Sequence, residues 1–188
     1  NYLIYNGLPD DNIVKFEPPV IYPTGYGFKE AFYQPYELTV DNVESYPKAF
    51  SASREIEFAF DELSTSYYTA MERLTEFDIV LKMKGEKRME YVQFYVNITS
   101  AMIGANIKLT MSNNSNFSEF KEIKLKELTE DESKEGVNVD NKIREGLNTF
   151  LFDANKYKYL KITFYADEPF ECSFTDLKVG QRFDSSQI

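Results

Sequence analysis

The stretch that decides the fold runs Asn148-Thr-Phe-Leu-Phe-Asp-Ala-Asn-Lys-Tyr-Lys-Tyr-Leu-Lys-Ile-Thr-Phe-Tyr165 and continues, after an acidic turn with a proline, as Phe170-Glu-Cys-Ser-Phe-Thr-Asp-Leu-Lys-Val-Gly180. In the first part, Leu160, Ile162 and Phe164 alternate with polar residues, which places these three side chains on one face of a strand. A hydrophobic segment and a turn precede this strand, and the second part supplies a closing strand. We therefore predict that the chain ends as an antiparallel β-sandwich of the ligand-binding kind.

Similar alternation recurs upstream at regular spacing. It predicts strands over residues 54–60, 76–84, 89–99 and 107–111, and a short strand within 117–128. Their inward faces would hold Ile56, Phe58 and Phe60, then Phe77, Ile79, Leu81 and Met83, then Val92, Phe94, Val96 and Ile98. Residues 64–74 read as a short helix or an irregular connection, and Gly85-Glu-Lys-Arg88 as a charged turn. Short strands joined by short turns predict an all-β fold, an antiparallel jelly-roll sandwich.

The first fifty residues differ from the rest of the chain. Prolines, glycines and tyrosines occur there too often for long helices. We predict an irregular, aromatic-rich segment over residues 1–50 that packs on or leads into a β-sandwich over 51–188. The length of 188 residues suits a single domain overall.

Composition excludes several classes of partner. The net charge is −10, and the sequence has no basic patch of the kind that neutralises phosphates, so we expect no nucleic-acid binding. No apolar run approaches the length of a transmembrane span, so we expect no membrane insertion. The first residues also lack the charged and apolar regions of a signal peptide, so the ends of the chain do not identify its location.

The residue types disfavour catalysis. The chain has no histidine, which removes the commonest general base and the commonest transition-metal ligand. The single cysteine, Cys172, alternates with Phe170 and Phe174, a pattern typical of a buried apolar residue. A glycosidase needs two carboxylates across a cleft, a pairing that sequence alone does not reveal. We predict a protein without enzymatic activity and without a cofactor.

Three stretches resemble a known family of binding domains. They are residues 77–81 followed by 89–96, residues 107–117, and residues 158–162 together with 174–180. Their order resembles the discoidin, or coagulation factor V/VIII C-terminal, type of galactose-binding-like jelly roll. The sequence departs from the family pattern at Lys158, where an arginine is usual, and in having no tryptophan before the first core strand.

The resemblance implies a binding site on loops at one end of the sandwich, for a glycan, a lipid or a protein, with a structural calcium ion nearby. Carboxylate oxygens are suitable calcium ligands. Candidate ligands are the acidic groups Asp61-Glu62, Glu130-Asp131-Glu132 and Asp140, although none has the spacing of a calcium loop. A solvated charged surface is the alternative interpretation of these groups.

Tyrosines are the candidate ligand-binding residues, because a tyrosine ring offers an apolar face beside a hydroxyl group. The densest segment contains Tyr22, Tyr26, Tyr33 and Tyr36. A second platform would use Tyr91 and Tyr95, joined by Tyr157, Tyr159 and Tyr165 if their strands are neighbours. These rings would stack on a sugar or anchor a protein partner. The alternative is that they cover the end of the core or line a subunit interface.

Two functional hypotheses follow. The first is a non-catalytic extracellular module for carbohydrate binding or adhesion. The second is a structural protein of a larger particle, such as a phage capsid decoration, fibre or tail component, assembled as a homo-oligomer or hetero-oligomer. The partner is thus a glycan or a protein, and the location is the extracellular space, the cell surface or a virion.

Overall fold

The computed structural model describes residues 20–22, 31–63, 65–130 and 136–184, with backbone alone for 20–22, 31 and 184. Strands dominate these residues. They are β1 (Val20–Tyr22), β2 (Ala31–Pro35), β3 (Val43–Ser45), β4 (Tyr68–Thr69), β5 (Leu74–Val96), β6 (Asn106–Ser112), β7 (Lys121–Ile123), β8 (Gly146–Phe170) and β9 (Ser173–Asp184). Short 3-10 helices lie at Val40–Asn42, Ala52–Arg54 and Ile56–Ala59. The predicted all-β class is therefore confirmed.

The long strands β5 and β8 form one antiparallel ladder that contributes to both layers of the sandwich. In its first part Ile79 pairs with Ile162, and in its second part Phe94 pairs with Asn148. Register shifts between Lys82 and Lys87 interrupt the ladder where both strands bend. Because both strands continue past the bend, a single pair of strands builds the centre of two facing sheets.

The remaining strands extend the two layers. The first half of β5 and the second half of β8 form layer A with β3, β6 and β7. The second half of β5 and the first half of β8 form layer B with β9, β2 and β1. All these pairings are antiparallel, and β2 and β3 place part of residues 1–50 within the sandwich. We call the end that contains residues 82–89 and 153–158 the bend end, and the opposite end the loop end.

Aromatic rings fill the space between the layers. Phe94 of layer B contacts Phe164 of layer A with ring centroids 5.4 Å apart, and Phe174 lies 5.6 Å from Phe164. Phe150 stacks on Phe94 at 5.8 Å within layer B. The predicted inward residues that alternate along residues 77–83 and 160–164 are buried in the same core. Burial of these rings supplies the main favourable term for folding.

The predicted strand over residues 54–60 is wrong. Residues 52–54 and 56–59 form 3-10 helices, in which Phe58 N donates to Glu55 O and Phe60 N to Glu57 O. Ile56 and Ala59, three residues apart, are the buried positions. Local i to i+3 hydrogen bonds satisfy the backbone here, so the alternating sequence does not need a partner strand. Residues 64–74 include the short strand β4, with residue 64 outside the described ones.

Two predicted turns are bends within continuous strands. Gly85 has φ +89°, a conformation that glycine adopts without strain, and β5 continues through it without reversing. The turn predicted before the alternating strand of residues 160–164 also lies within a continuous strand, because β8 continues through residues 153–157. The reason is that both strands keep pairing with each other on both sides of the bend. Ile98, predicted to face inward, lies beyond the end of β5 and is 70% exposed.

Replacing Phe94 should destabilise the fold strongly. Phe94→Ala removes contacts with rings in both layers and leaves a cavity, for which we expect a loss of about 3–5 kcal/mol in the free energy of unfolding. The control is Phe120→Ala, which removes an exposed ring and should change stability by less than about 0.5 kcal/mol. Urea denaturation of both variants provides the measurement, and equal small losses would contradict the role assigned to Phe94.

Candidate functional site

The loop end presents most of the exposed large hydrophobic side chains. Among the described residues, four connections meet there, formed by residues 46–63 with 65–73, 97–105, 139–145 and 171–172. The exposed hydrophobic residues at this end are Phe50, Leu63, Met71, Leu74, Ile98, Ile103, Val139 and Leu147. Val40 and Phe120 are exposed elsewhere. Exposed apolar groups gathered on loops are typical of a binding surface.

Phe50 is the exposed aromatic ring of this end, with 59% of its surface accessible. Its backbone is held because Phe50 N donates to Thr69 O at 2.8 Å, and the neighbouring Met71 N donates to Lys48 O at 2.8 Å. Beneath this segment the hydroxyl of the buried Tyr68 donates to Pro47 O at 2.5 Å. Backbone hydrogen bonds therefore hold the segment that carries the exposed Phe50 ring against the segment that carries the exposed Met71.

A hydrogen-bonded group of polar side chains lies at the same end. Asn97 Nδ2 donates to the Tyr67 hydroxyl at 2.7 Å. Asn97 Oδ1 accepts from Thr99 N at 3.0 Å and from Thr99 Oγ1 at 2.8 Å. This network joins the loop that precedes β4 to the loop that follows β5. It holds hydroxyl and amide groups, which are the hydrogen-bonding partners of sugar hydroxyls.

Carboxylates give the loop end an acidic character. The end of β8 carries Asp167 and Glu168, and the connection to β9 carries Glu171, although the Arg73 guanidinium donates to Pro169 O beside them at 3.5 Å. Asp176, at the start of β9, has a raised pKa because burial desolvates its carboxyl and because Asp61 and Glu62 are near, although Lys178 opposes the shift. One carboxylate oxygen of Asp176 is buried and has no hydrogen-bond partner. Asp176 therefore lowers stability when it is ionised.

The described residues do not gather a metal site. Among them, no three His, Cys, Asp or Glu side chains are grouped closely enough to hold a metal ion. Asp61 and Glu62 influence the pKa of Asp176, and the Thr175 hydroxyl beside it donates to Phe58 O at 3.0 Å. Of the other acidic candidates, Glu130 and Asp140 lie in the described part of the chain, while residues 131 and 132 do not.

Tyr33 and Tyr91 face each other on the outer side of layer B. Their rings form an edge contact with centroids 5.0 Å apart, and they are only 4% and 1% exposed. Gly180 of β9 pairs with Tyr91 of β5. It lies between the strand that carries Tyr33 and the strand that carries Tyr91, and it adds no side chain there. Val137 and Leu151 complete this small core. Neither ring offers an open face for stacking, so the core-packing alternative describes this pair.

Tyr36 is half-buried, and its hydroxyl connects two strands. The hydroxyl donates to Arg88 O at 2.5 Å and accepts from Gln181 Nε2 at 2.9 Å. Tyr36 N also donates to Val179 O at 2.9 Å. The residue thus fastens the segment after β2 to the bend of β5 and to β9.

The other tyrosines do not form one platform. Tyr95 is half-buried in layer B, whereas Tyr159 and Tyr165 lie in layer A and Tyr157 lies at the bend. Tyr22 belongs to β1, but its side chain, like the whole of Tyr26, lies outside the described residues. Binding of a partner by Tyr22, Tyr26, Tyr36 or Tyr95 stays a prediction.

Sequence reasoning missed Phe50, Tyr67 and Asn97 as a group. Phe50 follows Pro47 in a segment without periodicity, and only the fold places it at the end of the sandwich. Asn97-Ile-Thr99 has a local signal, because it fits the pattern of a glycosylation acceptor. The hydrogen bonds of Asn97 to Tyr67 and Thr99 give these residues a second, structural explanation.

The thiol of Cys172 and the hydroxyl of Tyr68 belong to the core. Cys172 is fully buried, and burial raises the pKa of its thiol. Burial also raises the pKa of the Tyr68 hydroxyl, which donates its proton to Pro47 O. Both groups are therefore neutral over the ordinary pH range and serve as parts of the core.

Comparison with known proteins bears on the fold. No family model matches the sequence, and no curated protein matches it. Solved structures do match in shape. Chitosan-binding module 1 from a chitosanase/glucanase of Paenibacillus sp. IK-5 aligns with TM-score 0.57 at 16% identity, over 78% of this chain and 99% of that one. The chain has the galactose-binding-like β-sandwich fold.

Two further structures with this fold come from Clostridium perfringens. One is a family 32 carbohydrate-binding module in complex with GalNAc-β-1,3-galactose, with TM-score 0.52 and 16% identity over 86% of this chain and all of the module. The other is a module of the same family from a family 31 glycoside hydrolase, with TM-score 0.51 and 15% identity over 74% and 90%. The galactose-binding-like prediction from sequence is thus confirmed for the fold. No helix among the described residues is long and apolar enough to span a membrane.

Replacing Asp176 should stabilise the protein at neutral pH. Because its pKa is raised in the folded state, stability is lost as the pH rises from about 4 through that pKa. Asp176→Asn removes this loss and keeps a residue type that tolerates the φ of 52° observed there. We expect a higher Tm for the variant at pH 7 and a smaller difference at pH 4.

The control is Asp153→Asn, which changes an exposed carboxylate at the bend end and should leave Tm unchanged at both pH values. Melting curves of the same samples, recorded with calcium and with a chelator, test whether a structural calcium ion stabilises the protein. A lower Tm for Asp176→Asn at pH 7 in chelator would contradict the cost assigned to this buried carboxylate.

Proposed function

We propose that this protein is a non-catalytic carbohydrate-binding module whose ligand binds at the loop end. The observation that carries the proposal is the exposed Phe50 ring on a fixed backbone, at the same end as the Tyr67–Asn97–Thr99 network. An exposed ring stacks on the apolar face of a sugar, and the polar groups receive its hydroxyls. The carbohydrate-binding modules that share the fold support this proposal.

The charge of the loop end favours neutral or amino sugars. Acidic side chains outnumber lysines and arginines in the described loop-end connections, which disfavours a sulfated or uronic-acid polymer at this end. A protonated glucosamine unit carries a positive charge, and an N-acetylated or galactose unit carries none. Oligomers of glucosamine and the disaccharide GalNAc-β-1,3-galactose are therefore the first ligands to test. Because polysaccharides of this kind lie outside cells, we place the protein in the extracellular space or at a cell surface.

The second candidate function is assembly into a larger particle. The observation that favours it is the set of exposed aliphatic side chains at the same end, including Met71, Leu74 and Ile98. A protein partner would bury these residues together with Phe50, because apolar groups with an aromatic ring at the centre are typical of protein interfaces. Particle mass in solution distinguishes the two functions.

Phe50→Ala tests the proposed binding site. We expect titration calorimetry to detect binding of a glucosamine hexamer or of GalNAc-β-1,3-galactose to the natural protein. The affinity of the variant should be lower by about tenfold or more. Phe120→Ala is the matched control, since its ring is 63% exposed but lies away from the loop end. Undiminished binding by Phe50→Ala would reject the site.

The same two variants test the assembly alternative. If a broad glycan array gives no signal, and light scattering shows a stable oligomer that Phe50→Ala dissociates, the assembly function replaces carbohydrate binding. A monomer that binds a glycan supports the first proposal.

A further inference from the structure

A groove opens at the bend end, on the side of the molecule opposite the loop end. Its volume is about 590 Å³, and it lies between the turn at Val40–Asn42 and the bend of the central ladder. The lining residues are Glu37, Thr39, Asp41, Asn42, Lys82, Met83, Lys84, Gly85 and Lys158. The groove shares no residue with the loop end that carries Phe50, so any ligand of the groove would bind at a separate site.

Three lysines share this groove. Lys82 and Lys84, two residues apart, lie on the same face of β5, and Lys158 lines the groove from the neighbouring strand β8. No salt bridge joins any of these ammonium groups to a described residue. Positive charges that line one groove repel each other, and a bound anion would reduce that repulsion.

Hydrogen bonds fix the backbone that carries these lysines. Asn42, itself buried, donates from Nδ2 to Lys82 O at 3.0 Å. Lys158 N donates to Asn113 Oδ1 at 3.0 Å. The turn that supplies Asn42 is closed by a capping box, in which Thr39 N donates to Asn42 Oδ1 and Asp41 N donates to the Thr39 hydroxyl. The lysine stems therefore start from fixed positions on two strands.

The groove also offers acceptors for hydroxyl groups. Glu37 and Asp41 line it with exposed carboxylates on the side opposite β5. A simple inorganic anion would gain nothing from these carboxylates and would be repelled by them. A sugar that carries its own acidic group would use both sets, with its hydroxyls donating to the carboxylates and its acidic group accepting from the lysines.

We propose that this groove is a second saccharide site, which binds the carboxylate or sulfate group of an acidic sugar through Lys82, Lys84 and Lys158. Short ligands fit better than long polyanions, because the net charge of −10 opposes the approach of an extended acidic polymer. The same charge argues against a nucleic acid in this groove.

Titration calorimetry at low salt with a hyaluronan tetrasaccharide, which carries glucuronate carboxylates, tests the proposal. We expect binding that weakens as salt is added, and that weakens about tenfold or more in Lys82→Gln/Lys158→Gln. Lys84→Gln is the second variant and should weaken binding in the same direction. The matched control is Lys124→Gln, an exposed lysine outside the groove, which should bind as the natural protein does.

Two further ligands identify the recognised chemistry. The same tetrasaccharide with methyl-esterified carboxylates should bind at least about tenfold more weakly, because the charged acceptor is lost. Sodium sulfate should bind more weakly than the acidic saccharide, because it lacks the hydroxyls that reach Glu37 and Asp41. Equal affinity for sulfate would overturn the assignment to a sugar.

Undetectable binding of the acidic tetrasaccharide, or binding that the lysine variants leave unchanged, would overturn the site itself. Phe50→Ala separates this proposal from the loop-end function. It should leave binding of the acidic tetrasaccharide intact, and a loss in that variant would assign the acidic ligand to the loop end.

Discussion

The contact of Phe94 with Phe164 across the core is the interaction on which the rest of this structure depends. Both rings belong to the same pair of strands, since Phe94 lies on β5 and Phe164 on β8, yet they come from opposite sides of the bend. The backbone hydrogen bonds of the ladder would be equally satisfied in a flat ribbon. Burial of these rings is therefore the interaction that favours the ladder folded back on itself. The hydrophobic contact therefore creates the two layers.

Folding the ladder in this way gives the molecule two different ends. At the loop end the chain leaves the sheets, so its side chains no longer alternate between two faces as they do in a strand. Phe50 and Ile98 are exposed there. At the bend end the strands stay paired, so the lysines of the groove stand on a sheet framework. The first arrangement suits stacking on a sugar ring, and the second suits recognition of charge.

The sequence predicted the elements whose pattern reflects burial on one face. Ile79, Leu81, Ile162 and Phe164 are buried as their alternation requires. The alternation at Ile56 failed because local 3-10 hydrogen bonds replaced a partner strand. Gly85 reads equally well as a turn or a bend, since the choice depends on whether the distant strand β8 bends with it. For the same reason the burial of Tyr33 against Tyr91 required a long-range contact that no local pattern contains.

Amide chemical-shift mapping by NMR tests the central claim most directly, because it locates a bound glycan without any substitution. During titration with a glucosamine hexamer, we predict that the shifts concentrate on residues 46–51, 67–73 and 97–103, around Phe50 and Asn97. Amides of layer A near Lys108 and Lys161 should stay unchanged. Shifts confined to the sheet faces, or to the bend end, would contradict a loop-end binding site.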